Sequence, residues 1–300
     1  MKIIRDGEMI NRTAVALGNF DGIHKAHTEI INQCCNYARE KNLKSGVLLF
    51  DGHTLNVTEN RAVNLITDKS EKLRVLEEAG LDFVYLREFT TDFMKLSPEQ
   101  FADELIRMMN PSAVFVGYDY RFGYKAEGDT HILEKLGNEK GFKVIAVDEI
   151  KHNGTPVKST EIRRLITEGN IAEANELLGR PFVISGQVEH GLQNGRKIGI
   201  PTVNVGYSAD IILPKNGVYR GFTDYNGRLY KSVINVGNNP TLDAKKITVE
   251  SHLLDFNEEI YGERVRVLFK DRIRDEKKFS GLEELKRQIH RDIAVTEGMD

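Results

Sequence analysis

The sequence predicts a doubly wound α/β domain followed by an all-β domain that ends in a helix. Three observations predict it. Over residues 1 to about 150, short apolar runs alternate with amphipathic stretches of helical period, the pattern of a parallel sheet with helices on both faces. After Arg180-Pro181 the helical period gives way to strand-like runs at regular spacing over roughly 100 residues, which suggests a closed barrel or a sandwich. Leu282, Leu285, Ile289 and Ile293 then recur at helical spacing near the end. A length of 300 residues fits two domains, and the boundary is set at Arg180-Pro181, giving domains 1–180 and 181–300.

The elements follow in order. Thr13 to Leu17 is a β-like run, Gly18-Asn19-Phe20-Asp21-Gly22 a turn, and a helix begins near His24 with Ile30, Ile31, Cys34 and Ala38 as its apolar positions. Val47 to Phe50 is a second, buried strand, and Phe83 to Leu86, Ala113 to Val116 and Val144 to Val147 are further strands. Between them lie a helix over Asp68 to Ala79 and another from Ser97, with Ser97 as N-cap and Pro98 at its first position, to Met109. A capped helix is expected at Thr160, with Ile162, Leu165 and Ile166 inward. A short one follows in which Asn170 and Glu173 have capping-box spacing and Gly179 is the stop. Val183 to Val188, Gly217 to Tyr225, Arg228 to Asn235, Lys246 to Leu254 and Arg264 to Lys270 are the β-domain strands. Asn226-Gly227 makes a tight hairpin between two of them. Ser280 and Glu283 are spaced as a capping box for the last helix.

Composition narrows the function classes. Apolar residues are 40% and charged residues 29%, with a net charge of −3. Nothing in that balance asks for nucleic acid or an anionic membrane as partner. No apolar run approaches the ~18 residues of a membrane span. Met1-Lys2-Ile3-Ile4-Arg5-Asp6 does not read as a signal peptide. The only cysteines, Cys34 and Cys35, are adjacent and give neither a disulfide framework nor metal spacing, which fits the cytoplasm.

The stretch from Gly186 to Asn204 carries the chemistry. Gly191, Gly195 and Gly199 recur every four residues, and interior glycines cost a helix about 1 kcal/mol each against Ala. The segment therefore reads as a loop whose backbone can approach a ligand and present N–H groups to an anion. Thr202 and Asn204 are two apart, so on extended backbone they share a face. A hydroxyl and an amide carbonyl are hard oxygen ligands suited to Mg²⁺ carried on a nucleotide phosphate. At the other end of the chain, His24 and His27 share a face at a helix start, where anions are favoured.

These residues lie within a longer series of motifs. The Gly186–Asn204 stretch is followed by Leu213-Pro214 with Gly217-Val218-Tyr219. Asn235-Val236-Gly237-Asn238-Asn239-Pro240-Thr241 comes next, then Val249-Glu250-Ser251-His252-Leu253-Leu254-Asp255-Phe256. In that order they resemble the riboflavin kinase module of the bacterial bifunctional riboflavin kinase/FMN adenylyltransferases, or FAD synthetases. Gly18-Asn19-Phe20-Asp21-Gly22 with His24 and His27 is similar to the signature of the nucleotidyltransferase superfamily. Gly117-Tyr118-Asp119-Tyr120-Arg121-Phe122-Gly123 resembles the family's nucleotide loop, and Ser159-Thr160 with Arg163 its triphosphate-side helix.

The resemblance implies a Rossmann-like nucleotidyltransferase domain and a Greek-key β-barrel kinase domain. It implies ATP-dependent phosphorylation of riboflavin to FMN, then adenylylation of FMN to FAD. Mg²⁺ would be bound with ATP by Thr202 and Asn204, with the loop of Gly191, Gly195 and Gly199 around the phosphates. Glu250 would be the catalytic base, and Arg274 would belong to a loop over the flavin. In the N-terminal site it implies nucleotide contacts from Gly18, Phe20, Asp21, Gly22, His24, His27, His53, Asp119, Ser159, Thr160 and Arg163. Three departures cluster there. Ala26 stands where relatives have Gly, Gly52 and Thr54 flank His53 in place of two prolines, and Lys158 replaces a Ser. From them the sequence predicts FAD formation slower than FMN formation. Two other readings stay open at this point: a working kinase beside a degenerate nucleotide-binding domain, and a flavin-responsive regulator without catalysis.

Overall fold

The computed structural model describes residues 1–5, 8, 10, 12–51, 64–191, 195, 199–238 and 247–299. The chain divides into two compact units, residues 1–65 with 72–158, and residues 66–71 with 159–300.

The first unit is built on strands β1 (Lys2–Ile4), β2 (Thr13–Leu17), β3 (Lys44–Asp51), β4 (Phe83–Glu88), β5 (Pro111–Gly117) and β6 (Lys143–Val147). They form one sheet in the order β1-β4-β3-β2-β5-β6, and every pairing is parallel. All five residues of β2 are buried, as expected of a central strand covered on both faces. Its alternation sorts them: Ala14 and Ala16 join one apolar cluster and Val15 and Leu17 another. Helix α1 (Lys25–Lys41) packs Ile31 and Cys34 into the first cluster. Helix α2 (Lys69–Glu78) adds Leu76 to the same face. A short helix α3 (Thr91–Met94) follows β4. The opposite face is filled by Phe101 and Leu105 of α4 (Pro98–Met109) and Leu133 of α5 (Thr130–Lys140). Ser97 caps α4, as read from the sequence, and the structure adds a complete capping box with Gln100. Strand order reverses between β2 and β5, so the ligand crevice of this sheet lies at their carboxyl ends.

The second unit holds helices α6 (Ser159–Glu168) and α7 (Ile171–Leu178). A closed barrel follows, of β9 (Phe182–Glu189), β10 (Val203–Val205), β11 (Gly217–Tyr225), β12 (Arg228–Asn238), β13 (Ile247–Leu253) and β14 (Arg264–Arg274). Around it the order is β10-β13-β12-β11-β14-β9. The run β14-β11-β12-β13 is a Greek key, because the fourth strand returns beside the first of a three-strand meander. Asn226 and Gly227 both take positive φ at the β11–β12 hairpin, as its two-residue turn requires. Thr223, Ser232 and Ser251 are fully buried inside the barrel. They hydrogen-bond one another, Thr223 to Ser251 at 2.8 Å and Ser232 to Thr223 at 3.0 Å, which satisfies hydroxyls shielded from solvent. Helix α8 (Leu282–Glu297) closes the chain.

Several local expectations are corrected. Asn170 precedes α7, but its side chain makes no capping bond; its amide contacts Glu168 instead. Thr160 lies inside α6, which starts at Ser159. The last helix is capped from Gly281, and Ser280 bonds Glu284 rather than Glu283. Leu282 is 64% exposed, so the stripe that faces inward begins at Leu285. Strand β10 and the small hairpin of β7 (Lys151–His152) and β8 (Thr155–Pro156) were not expected. Each is two or three residues long, too short to show a period. Among the described residues no helix is long and apolar enough to cross a membrane.

Candidate active sites

The barrel collects one group of predicted residues on its outer surface by strand register. Along β13, Val249, Ser251 and Leu253 are buried inward, so Thr248, Glu250 and His252 face out. Glu250 lies opposite Asn204 of β10 on one side and opposite Asn235 of β12 on the other. Thr202, two residues before Asn204, directs its hydroxyl to a Glu250 carboxylate oxygen at 3.5 Å. Burial holds the Glu250 carboxyl above the ordinary carboxylate range, and the Thr202 hydroxyl offsets part of that rise.

Gly191 and Gly195 lie against the same row. A Cβ on Gly191 would come within 2.1 Å of the Asn204 side-chain nitrogen, so a larger residue there would displace the Asn204 amide. A Cβ on Gly195 would lie 2.3 Å from the Ile200 carbonyl oxygen and 3.6 Å from the Thr202 hydroxyl. Gly195 itself has helical backbone, against the expectation of a loop throughout; its immediate neighbours lie outside the described residues. Gly199 turns the chain back with φ 76°, a left-handed conformation that favours glycine. Gly191, Gly195, Thr202, Asn204 and Glu250 therefore meet.

Two further residues of the row carry no role in the sequence reading. Asn235 sits beside Glu250 in register. His252 donates its Nδ1–H to the Pro201 carbonyl at 2.7 Å. Both stand inside quoted motifs, but only the register shows which face they take.

Arg274, at the end of β14, is occupied differently. Its guanidinium meets the Asp292 carboxylate of α8 through Nη2 at 2.7 Å and Nε at 3.0 Å, and Nη1 donates to the Asp275 carbonyl at 3.0 Å. Asp292 is 2% exposed, so this is a buried, bidentate pair between strand and helix. Arg274 also lines a pocket of about 260 Å³ between the Gly169–Glu173 turn and the end of β14.

In the first unit the predicted residues come from loops at the carboxyl ends of β2 and β5. Phe20 and Ile23 have φ of 46° and 39°, with Gly22 between them at 85°. Non-glycine residues in this region cost roughly 1–2 kcal/mol each, so the loop stores strain that its burial must offset. Phe20 and Asp21 are fully buried, and the Phe20 ring fills the space above Gly18. His24 is the N-cap of α1. Its Nδ1 accepts from the His27 backbone N–H at 3.3 Å, so in the neutral ring the proton is on Nε2. The two imidazoles stack with centroids 3.7 Å apart, and His27 meets the Phe20 ring edge-on at 5.2 Å.

Asp119, after β5, receives a hydrogen bond from Lys158 Nζ at 3.1 Å, and the same ammonium lies over the Tyr118 ring. Those two neighbours push the lysine up to about 12. His53 lies outside the described residues. Ser159, Thr160 and Arg163 fall on α6, in the second unit. Among the described residues no group of three or more His, Cys, Asp or Glu could hold a metal ion by itself.

Comparison with known proteins follows the same division. A family model for FAD synthetase matches residues 7–161 and one for riboflavin kinase matches residues 178–299. The bifunctional riboflavin kinase/FMN adenylyltransferase of Listeria monocytogenes is 38% identical over 281 residues, covering 93% of this chain and 89% of that one. Those of Bacillus subtilis and Escherichia coli K12 are 34% and 35% identical and cover 94% and 97% of this chain and 90% and 96% of theirs. A crystal structure described as a macrolide-efflux protein of Streptococcus pneumoniae superposes with a TM-score of 0.88 at 31% identity, over 97% of this chain and 99% of that one. That description names an activity absent from the family models and curated relatives, while the shared fold is the one described above. With both family models matched in order, and full-length relatives well above 30% identity, the chain belongs to the bifunctional riboflavin kinase/FMN adenylyltransferase family.

Proposed function

We propose that this chain uses ATP to phosphorylate riboflavin to FMN on the barrel and to adenylylate FMN to FAD in the parallel-sheet unit. The observation that carries the kinase reading is the Thr202 hydroxyl aimed at Glu250, with Asn204 opposite that carboxylate in register. Two hard oxygen donors beside a carboxylate suit Mg²⁺ that arrives on the nucleotide. Thr202 and Asn204 would hold that ion, which neutralises charge developing on the transferred phosphoryl oxygens. Glu250 accepts the proton of the attacking ribityl hydroxyl, and the partial burial that raises its carboxyl also strengthens it as a base. Gly191, Gly195 and Gly199 let the loop backbone close on the phosphates. Arg274, tied to Asp292, orders the chain that follows β14 beside the flavin.

In the other unit, the Nε2–H of His24 points away from the helix cap and is the donor for ATP phosphate oxygens, with His27 stacked on it. By resemblance to the family, His53, Ser159, Thr160 and Arg163 are further nucleotide contacts for this reaction. The Lys158–Asp119 contact ties up a residue of the nucleotide loop, which supports slower adenylylation than phosphorylation. We assign the reaction to the cytoplasm, in keeping with two buried free cysteines, and its substrates are small molecules, with neither nucleic acid nor membrane as partner. We retain Arg180-Pro181 as the start of the kinase domain, while noting that α6 and α7 pack with the barrel.

One time course tests all of this. Riboflavin and ATP are incubated with Mg²⁺, and with EDTA in a parallel tube, and the flavins are separated by chromatography. FMN appearing first, FAD following more slowly, and neither in EDTA is the expected result. FMN alone would mark the first unit as a degenerate nucleotide-binding domain, and no product would leave a flavin-responsive regulator.

A further inference from the structure

Strand β10 is three residues long, and its pairing with β13 runs Asn204 to Glu250 and Val203 to Ser251. Thr202 is one residue before that ladder begins, yet its hydroxyl must face the Glu250 carboxylate. Pro201, just before it, has no N–H to offer a neighbouring strand. Something other than the ladder has to set the direction of the Pro201–Thr202 peptide.

His252 is placed to do so. It follows Ser251 on β13 and shares the outward face with Glu250, two residues away. Its ring reaches Pro201, and the distance from Nδ1 to the Pro201 carbonyl oxygen is 2.7 Å. A carbonyl can only accept, so Nδ1 carries the proton. The side-chain bond thus extends the β10–β13 register by one step, where the backbone cannot.

We infer that His252 is a positioning residue for the kinase reaction: its Nδ1–H holds the Pro201 carbonyl and so aims the Thr202 hydroxyl at Glu250. This rests on the kinase reading above. His252 itself touches neither nucleotide nor flavin in this role. It acts through Thr202, and its loss should be felt as misplacement of that hydroxyl, for which shifts of about 1 Å cost up to ~10²-fold.

The test uses four variants of the full chain assayed for FMN formation. His252→Asn puts an amide N–H close to where Nδ1–H was, and His252→Gln puts it one atom further out. His252→Leu removes the donor, and Thr202→Ala removes the group it aims. The expected result is a loss of up to ~10²-fold in kcat/KM for Mg·ATP in His252→Leu, recovery in His252→Asn and none in His252→Gln. The double variant His252→Leu/Thr202→Ala should be no worse than Thr202→Ala alone, because both act through one hydroxyl. Additive losses in that cycle, or equal activity of the Asn and Gln variants, would overturn the role. The Asn and Gln pair decides the matter if His252→Leu does not fold. Ring ¹⁵N shifts of the unmodified protein give a readout free of activity, with the Nδ1–H tautomer expected and Nε2–H overturning the role. A wild-type chain that makes no FMN from riboflavin would instead overturn the kinase reading, and this role with it.

Discussion

The two candidate sites are assembled in different ways. On the barrel, Asn204, Glu250 and Asn235 come from three adjacent strands and face one way because antiparallel register aligns them. In the parallel sheet, the residues sit on loops beyond the strand ends, with Phe20, Gly22 and Ile23 held at positive φ. A register is maintained by many ladder bonds at little strain. A strained loop is maintained only by what packs around it, here the buried Phe20 ring. The difference teaches that a substitution on the barrel face should remove chemistry and spare structure, whereas one in the loop tends to disturb both.

The comparison can be broken most sharply at Glu250. Glu250→Gln should lower FMN formation by ~10²–10⁴-fold, while FAD formation from supplied FMN stays as in the wild type. Equal loss of both products would show that the two sites are not independent. The mirror experiment is His24→Asn, which keeps a good N-cap for α1 but removes the imidazole Nε2–H. FAD formation should fall by ~10²–10³-fold with FMN formation unchanged. An unaltered FAD rate would remove His24 from the chemistry.

A third experiment asks where the barrel unit ends. Asn175 of α7 donates to the Phe269 carbonyl at 2.9 Å and accepts from the Phe182 backbone N–H at 2.7 Å, and Ile171, Ala174, Leu177 and Leu178 are buried. Residues 183–300 should still fold and form FMN. They should be less stable than residues 159–300 by at least ~2–4 kcal/mol in urea, on the area those side chains cover. Equal midpoints would place the helices outside the cooperative unit.

Smaller effects are expected in the parallel-sheet unit. Lys158→Ser releases Asp119 from an exposed pair, and such pairs contribute at most about 1 kcal/mol, so FAD formation relative to FMN should rise by no more than about 5-fold. No rise would mean that the lysine does not hold the site back. Asp82 gives the least effect. Burial pushes its carboxyl up, but hydrogen bonds from Lys44 and from the Ser45 hydroxyl and backbone N–H outweigh that and leave it below its usual value. A carboxylate lowered in the folded state adds stability above its unfolded pKa, near 4, and loses it as pH falls through the folded value. The Tm gap between wild type and Asp82→Asn should therefore shrink on moving from neutral pH into strong acid. A constant gap would deny the linkage.

The sequence carried the fold wherever a period had room to repeat. The strands from Thr13 to Val147, the N-cap at Ser97 and the hairpin at Asn226-Gly227 were all readable, because each is specified by neighbours along the chain. The face of Glu250 was readable too, since Val249, Ser251 and Leu253 alternate with it. Partnership across strands was not. That Asn235 stands beside Glu250, that His252 bonds Pro201, and that Arg274 is paired with Asp292 depend on register and closure of the barrel. Asp292 in particular reads as one more surface charge on a helix whose apolar stripe is complete without it. The pairing of residues 66–71 with the barrel was equally invisible, for they lie between two strands of the other unit.

The contact between residues 66–71 and the barrel is also ordered in time. Glu71, 3% exposed, receives two hydrogen bonds from the Arg266 guanidinium, at 2.8 and 3.0 Å, across a separation of 195 residues. At synthesis rates of about 5–20 residues per second, Glu71 leaves the ribosome roughly 10–40 s before its partner exists. Throughout that interval the nascent chain carries a short segment shaped for a barrel not yet made, and it must stay hydrated and uncommitted. Completion of the second unit then waits on β14 and α8, so a chain that ended after residue 158 would carry residues 66–71 without the partners that the second unit supplies.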